Sequence, residues 1–412
     1  MANQHMFRTL IELRGNPRVC VYTEPLWSIP FYLFMPYASI YMLALGVTEI
    51  GLGTILTIGM ISQVIFSLLG GLITDKLGRM RTTFIFDMIS WGVPTFIWAI
   101  SQSYVYFAVA AAINGVWRVT ANSWTCLLVE DAKEDQLVAI FSWVHLTGLL
   151  AAFFSPLTGL FVDAYDLVPT IRVIYGLAFV LMVTKFLILN KIGHETEQGI
   201  KRMEETKESS YLEMLKGYKH VIAHILTTKN TLFVILIMVV VNIVTTVNGS
   251  FWAVIVTGDF GISPSYIGIF TAIKSIVMML IYLIILPKVN VHRFKGPLVL
   301  GFSMMLLGQL ILIMTGSISM GWIVFSLIFE GVSLSLINPL LDSLQVVMID
   351  KNERARIVAV LFMVVILMTS PFGSLAGYLS SVDQRFPFVM NIVLLMIGLV
   401  LVVLSKYQQE VS

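Results

Sequence analysis

Gly70-Gly71-Leu72-Ile73-Thr74-Asp75-Lys76-Leu77-Gly78-Arg79-Met80-Arg81 is a short charged interruption between two long apolar stretches. Gly71 lets a neighbouring helix pack close, and Gly78 suits a turn with positive φ, which glycine adopts at least cost. Asp75 can face a helix N-terminus, and Arg79 and Arg81 can hold carboxylates or lipid phosphate at a membrane surface. The meaning of the stretch depends on what flanks it.

The flanks are apolar to an extent that soluble proteins do not reach. Of 412 residues, 58% are hydrophobic and 12% charged. A soluble chain carries about 25% charged residues, so 26 Lys and Arg with 24 Asp and Glu cannot cover a water-facing surface of this size. An ordinary cytosolic enzyme, a disordered chain and a nucleic-acid binder are excluded. Cys20 and Cys126 are the only cysteines, which excludes a disulfide scaffold. The net charge of +2 carries no information about partners.

A membrane-crossing helix needs about 20 mostly apolar residues. Twelve such spans are predicted, at 25–47, 51–73, 83–101, 104–128, 137–162, 168–190, 231–257, 263–286, 297–316, 319–347, 357–380 and 387–405. Lipid cannot satisfy exposed backbone groups, so these are helices, and a barrel would show short alternating strands instead. Residues 1–24 carry Arg8, Glu12, Arg14 and Arg18 without an apolar core, so no cleavable signal peptide is expected. Basic residues set orientation. The N-terminal segment, the even-numbered loops and the tail 406–412 hold 21 of the 26 Lys and Arg, whereas the opposite loops hold Arg385 alone. Both termini are therefore expected in the cytoplasm, in the cell membrane.

The connection 191–230 carries seven basic and six acidic residues and divides the chain into bundles at 25–190 and 231–405. Its second half repeats Tyr211, Met214, Leu215, Tyr218, Val221, Ile222, Ile225 and Leu226 at helical spacing. That pattern fits an amphipathic helix on the inner leaflet, and equally a solvated helix tying the halves together.

Between the second and third of twelve spans, the quoted stretch closely resembles the signature loop of the major facilitator superfamily. The resemblance implies an all-α membrane protein with twelve transmembrane helices in two pseudo-symmetric six-helix bundles, working by alternating access as a monomer. It implies that Asp75 contacts the N-terminal end of helix 11, and that Arg79 and Arg81, with Gly71 and Gly78 shaping the loop, join a cytoplasmic charge network. The loop Asp350 to Arg356 resembles the acidic-then-arginine partner, whereas Lys288 to Lys295 lacks the Gly and Asp of a second copy. An internal repeat agrees: Ser155-Pro156-Leu157-Thr158-Gly159 in span 5 matches Ser370-Pro371-Phe372-Gly373 in span 11, with Gly377 beyond. Parallel six-helix halves produce such repeats. Span 5 also resembles the family's antiporter motif with Ser155 and Leu160 where glycines are usual; a packing kink is the alternative.

Ionisable groups near the bilayer centre cost at least about 2.5–3.5 kcal/mol on insertion scales, so each requires a reason. Lys185 and Arg172 lie near the ends of span 6 and can snorkel. Asp87 is expected beside the arginines of the loop. Arg118, Lys274 and Glu330 fall at mid-depth, on helices that by resemblance line or flank the cavity. Asn114, Arg118, Asn122 and Thr125 form one polar stripe; Ser326, Glu330, Asn338, Asp342 and Gln345 form another. A structural ion pair, Arg118–Glu330 or Lys274–Glu330, is the alternative to a substrate or gating role. His145 either titrates or is a neutral hydrogen-bonded residue. Asn242, Asn248-Gly249-Ser250 and Trp252 mark span 7 as a candidate discontinuous helix. Trp117, Trp124, Trp143, Tyr37 and Tyr41 either line the cavity or pack.

These residues point to a secondary active transporter for a small organic solute, proton-coupled, with drug or solute efflux favoured and sugar or organic-anion uptake or exchange as the alternative. Glu330 or Asp342 would titrate, with Arg118 and Lys274 as partners. An enzyme has no support: no metal cluster, cofactor motif or nucleophile–base pair is evident. Gly268 to Lys274-Ser275 has the wrong spacing for a phosphate loop. The expected partners are the solute, protons and membrane lipid, with no nucleic acid.

Overall fold

Apolar chain that cannot hydrogen-bond to lipid must satisfy its backbone internally, and the described residues are helical almost throughout. The structure, a computed structural model, describes residues 8–133, 136–208, 229–285, 295–314, 320–347 and 354–404, without the side chains of 138, 229–231, 342–347 and 354–359. Among the described residues, eleven helices are long and apolar enough to cross a membrane: Gly15–Ala44, Glu49–Leu77, Arg79–Ile100, Ala139–Tyr165, Leu167–Ile192, Leu232–Thr257, Pro264–Ile284, Lys295–Met314, Met320–Leu341, Val360–Val382 and Phe386–Leu404. The predicted fourth span is the twelfth. It is divided into Tyr104–Asn114 and Trp117–Val129, pieces of 11 and 13 residues, neither long enough by itself.

The division is a tightening of the helix. Val116 donates to Ile113, Arg118 to Gly115 and Val119 to Val116, three-residue steps that replace the four-residue ladder. Its cause lies in span 2, where the Ser62 hydroxyl donates to the Ala112 carbonyl at 2.6 Å. A Cβ on Gly115 would lie 2.5 Å from Ser62 Cβ, so only glycine admits this approach. The break expected at Asn248-Gly249 is absent: Lys229–Thr257 is a continuous α-helix. Asn248 is buried and accepts from Gln309 at 3.1 Å and Asn391 at 3.0 Å, so neighbouring helices hold this segment inside the second bundle.

Two further boundaries differ from the sequence reading. Helix 1 begins at Gly15, ten residues before the predicted edge at 25, because Glu24 is buried rather than solvated. The connection after span 6 contains a helix, Glu197–Thr206, whose N-cap Thr196 accepts from the Gly199 N–H. The predicted amphipathic helix over 211–226 lies outside the described residues.

Spans 1–6 pack among themselves, as do spans 7–12, and the halves meet mainly through span 2 against span 11 and span 5 against span 8. Those two pairs are equivalent under exchange of the halves, as a parallel repeat requires. The segments that repeat in sequence are the ones that make these contacts. A Cβ on Gly53 would collide with the Gly373 carbonyl, one on Gly159 with the Ser265 carbonyl, and one on Gly268 with the Ser155 carbonyl. Thr57 donates to Ser370 O at 2.9 Å, and Tyr37 accepts from the Gly268 N–H at 2.9 Å. These contacts all lie in the half of the molecule away from the face where helix 1 begins, so the two bundles are drawn together there.

Candidate functional site

On the face where helix 1 begins, the signature loop is the centre of a charge network. Gly78 has φ 84°, the left-handed geometry expected of it. The close approach to helix 4 is made by Gly70 rather than Gly71: a Cβ on Gly70 would lie 3.2 Å from Arg118 O. Arg79 is buried and pairs with Asp75 at 3.3 Å and Glu130 at 3.2 Å. The Glu195 carboxylate accepts from the backbone N–H groups of Arg79 at 2.9 Å and Met80 at 3.0 Å, capping the helix that follows the turn. Glu130 also accepts from Thr196 Oγ1.

Asp75 reaches a second cation, Arg202 of the helix Glu197–Thr206, at 3.0 Å. Hydrogen bonding to Asp75, then its charge, raises the pKa of the Arg202 guanidinium, and the smaller contribution of Glu205 acts the same way. Residues 348–353 and the first side chains of helix 11 lie outside the described residues, so the implied Asp75 contact with that helix end lies there too. Arg81 is exposed. Glu130, Glu195, Thr196 and Arg202 were not singled out from the sequence; only the charge density of their loops marked them.

At mid-depth, Lys274 Nζ lies 3.3 Å from Glu330 Oε1, joining spans 8 and 10 within the second half. The two ends of this pair are unequally covered: the Lys274 side chain is 30% exposed and that of Glu330 6%. Of the two pairings left open by the sequence, the structure makes this one. Arg118 is across the interface, in the first half. Its Nε donates to Gln63 Oε1 at 3.2 Å, and its guanidinium lies 4.3 Å from the Trp117 ring centroid and 5.6 Å from that of Phe362 in span 11.

The other members of the two stripes separate. Asn114 turns to span 3 and donates to Ser90 O at 2.8 Å, whereas Asn122 and Asn338 are exposed. Ser326 donates to Gly308 O at 2.9 Å, a tie between spans 10 and 9. The side chain of Asp342 lies outside the described residues. His145 is exposed, Asn242 is half-buried, and Trp252 packs edge-on against Phe270 at 5.6 Å. Tyr37 and Tyr41 are fully buried and hydrogen-bonded to backbone, at Gly268 N–H and Trp98 O, so they are packing residues rather than cavity lining.

Lys185 does not snorkel. It is buried, 2.7 Å from Glu24 Oε2, with the Trp124 ring centroid 5.4 Å away. Asp87, expected beside the loop arginines, is buried instead within electrostatic reach of Lys185 and Glu24 and in hydrogen-bond contact with Thr120. The reason is geometric: the start of helix 3 turns Asp87 toward spans 1, 4 and 6, while Arg79, two turns earlier, faces Glu130. Arg172 donates to the Ser101 carbonyl at 2.9 Å near the opposite face.

No curated protein sequence matches this chain. Among solved structures, the fold is similar to the nucleoside transporter NupG, with a TM-score of 0.71, 14% identity, and 95% of this chain covering 98% of that one. A POT family transporter in complex with 5-aminolevulinic acid gives 0.69 and 14% identity, covering 94% of each chain. The peptide transporter POT in complex with sulfate gives 0.67 and 14%, covering 96% of this chain and 97% of that one. At such identity these likenesses speak for the fold alone. Sequence decides the family: residues 28–364 match the Major Facilitator Superfamily. With its two bundles, charged signature loop and paired glycine contacts between the halves, the chain belongs to the major facilitator superfamily of multi-pass membrane transporters.

Proposed function

We propose that the protein is a monomeric secondary active transporter of the cell membrane, with both termini cytoplasmic, that exports a small organic solute by alternating access coupled to protons. The Lys274–Glu330 pair carries this reading. A proton on Glu330 would cancel its charge and release Lys274, so protonation and solute occupancy can exchange at one place. With the glycine contacts drawn together away from the termini, the described conformer would face the cytoplasm. Unlinking Gly53 from Gly373 and Gly159 from Ser265, while the opposite face closes, would complete the cycle. The alternative cargo, a sugar or organic anion taken up or exchanged, is favoured by one observation: Arg118 has no carboxylate partner among the described residues.

The test uses inverted vesicles with an acidified lumen and a pH-quenched dye. Adding an exported solute should relieve the quench as protons leave. Solute counterflow without any proton signal would remove the coupling and keep the carrier. Absence of saturable counterflow for every solute class would remove the carrier as well.

A further inference from the structure

Arg118 is mounted with more care than a helix-packing residue requires. Spans 2 and 4 touch backbone to backbone on both sides of it, at Gly70 and Gly115. A Cβ on Gly115 would stand 2.9 Å from Gln63 N, so the residue that receives Arg118 Nε is held by the same contact. The three-residue steps around Gly115 set the direction in which Arg118 leaves the helix. Trp117 and Phe362 flank the guanidinium, and such rings attract a cation without neutralising it.

The donor inventory is left incomplete. A guanidinium has five N–H groups in a planar fork suited to two parallel bonds with a carboxylate. Among the described residues only Nε finds an acceptor, Gln63 Oε1, and both terminal nitrogens lack one. Arg118 is part-buried, and a cation at this depth is costly without a counter-ion. Of the three mid-depth ionisable groups, Lys274 and Glu330 neutralise each other and leave Arg118 without a counter-charge; the buried carboxylates Glu24 and Asp87 face Lys185 instead.

We infer that Arg118 is the recognition group for a carboxylate on the transported solute, and that the cargo is a monoanionic organic acid. This rests on the carrier reading above and decides its cargo in favour of an anion. One negative charge matches the one unpaired positive charge. A dianion such as a phosphomonoester would be matched only after Glu330 is protonated and Lys274 freed. Gln63 acts as a positioning residue, holding Nε so that the two terminal nitrogens point together at the ligand.

The test is ligand binding by purified protein, read by thermal shift and by tryptophan fluorescence, since Trp117 adjoins the site. The probes are monocarboxylates from acetate and lactate to benzoate, with benzamide as the neutral match, benzylamine as the cation and phenyl phosphate as the dianion. Monocarboxylates should stabilise the wild type, and benzamide and benzylamine should not. Arg118→Gln should weaken carboxylate binding about tenfold or more, the worth of a charge-assisted contact. Arg118→Lys should retain part of it, keeping the charge but losing the fork; it also serves as the readable variant if Arg118→Gln does not fold. No monocarboxylate response in the wild type, an equal response to benzamide, preference for phenyl phosphate, or undiminished binding by a folded Arg118→Gln would each overturn the assignment. Counterflow separates this from the carrier reading. Arg118-dependent carboxylate binding without counterflow keeps the site and removes the carrier, whereas counterflow of a neutral solute by Arg118→Gln does the reverse.

Discussion

Lys185 Nζ lies 2.7 Å from Glu24 Oε2, and both side chains are less than one-tenth exposed. The pair fastens helix 1 to helix 6 inside the first bundle and explains why helix 1 extends back to Gly15. Removing Lys185 strands Glu24 beside Asp87 as buried charges, which costs about 3–5 kcal/mol, whereas removing Glu24 leaves Lys185 still facing Asp87. Lys185→Met should therefore lower the melting temperature markedly in detergent, and Glu24→Gln less. The triple variant Glu24→Leu, Lys185→Met and Asp87→Asn, which also removes the carboxylate facing Lys185, should recover most of the loss, since well-packed apolar replacements of buried pairs are often neutral. Single variants as stable as wild type would show that the pair is hydrated.

The contact of Gly53 with Gly373 leaves no room for a methyl group. Gly53→Ala should leave the helices intact, because alanine favours helix, while forcing the halves apart on that face, where its Cβ would meet the Gly373 carbonyl. Ser374→Cys combined with Gly53→Ala should then react several-fold faster with a membrane-impermeant maleimide than Ser374→Cys alone. An unchanged labelling rate would mean that this contact does not set the conformer.

Asp75 bridges the transmembrane bundle to the helix Glu197–Thr206 through Arg202. Arg202 is a guanidinium and keeps its charge over the working pH range, and the Asp75 contact raises its pKa further. Part-exposed pairs are worth about 0.2–1 kcal/mol and weaken in salt. Asp75→Asn should therefore barely change the melting temperature, accelerate tryptic cleavage after Lys201 and Arg202, and reduce transport more than solute binding. Equal loss of transport and binding would argue against a role in the conformational balance.

Glu330→Gln removes the acid and leaves Lys274 without its partner. Uphill accumulation should be lost while solute exchange survives, because exchange needs no net proton movement. The double variant with Lys274→Gln should restore melting temperature but not accumulation. If accumulation persists in Glu330→Gln, coupling must be sought at Asp342 or His145.

The fold was legible in the sequence because it follows from one solvent property. Lipid forces long apolar runs into helices, so counting them and locating the basic loops sufficed to divide the chain into two bundles. Gly78 could be read from local chemistry, since a positive-φ turn acts through immediate neighbours, whereas Arg79 is buried and one of its partners, Glu130, lies 51 residues away. The Ser155–Gly159 and Ser370–Gly373 repeat could also be read, although the sequence left open whether the span 5 segment is an antiporter motif or a packing kink, and its contact across the halves was seen only in the structure.

Pairings were decided only by tertiary structure. Lys185 looked like a snorkelling residue because helical position gives depth but not the identity of the neighbouring helix, and Glu24 lies 161 residues away along the chain. Asn248-Gly249 looked like a helix break, yet packing against Gln309 and Asn391 keeps span 7 continuous. The irregularity moved to Gly115, where Ser62 competes for the Ala112 carbonyl. Sequence alone therefore determined which segments cross the membrane and which residues are too charged to do so without a reason. The long-range contacts supplied the reasons, because the free energy of a buried charge depends on the partner opposite it: Glu330 for Lys274, Glu24 for Lys185, and for Arg118 only rings and one amide oxygen.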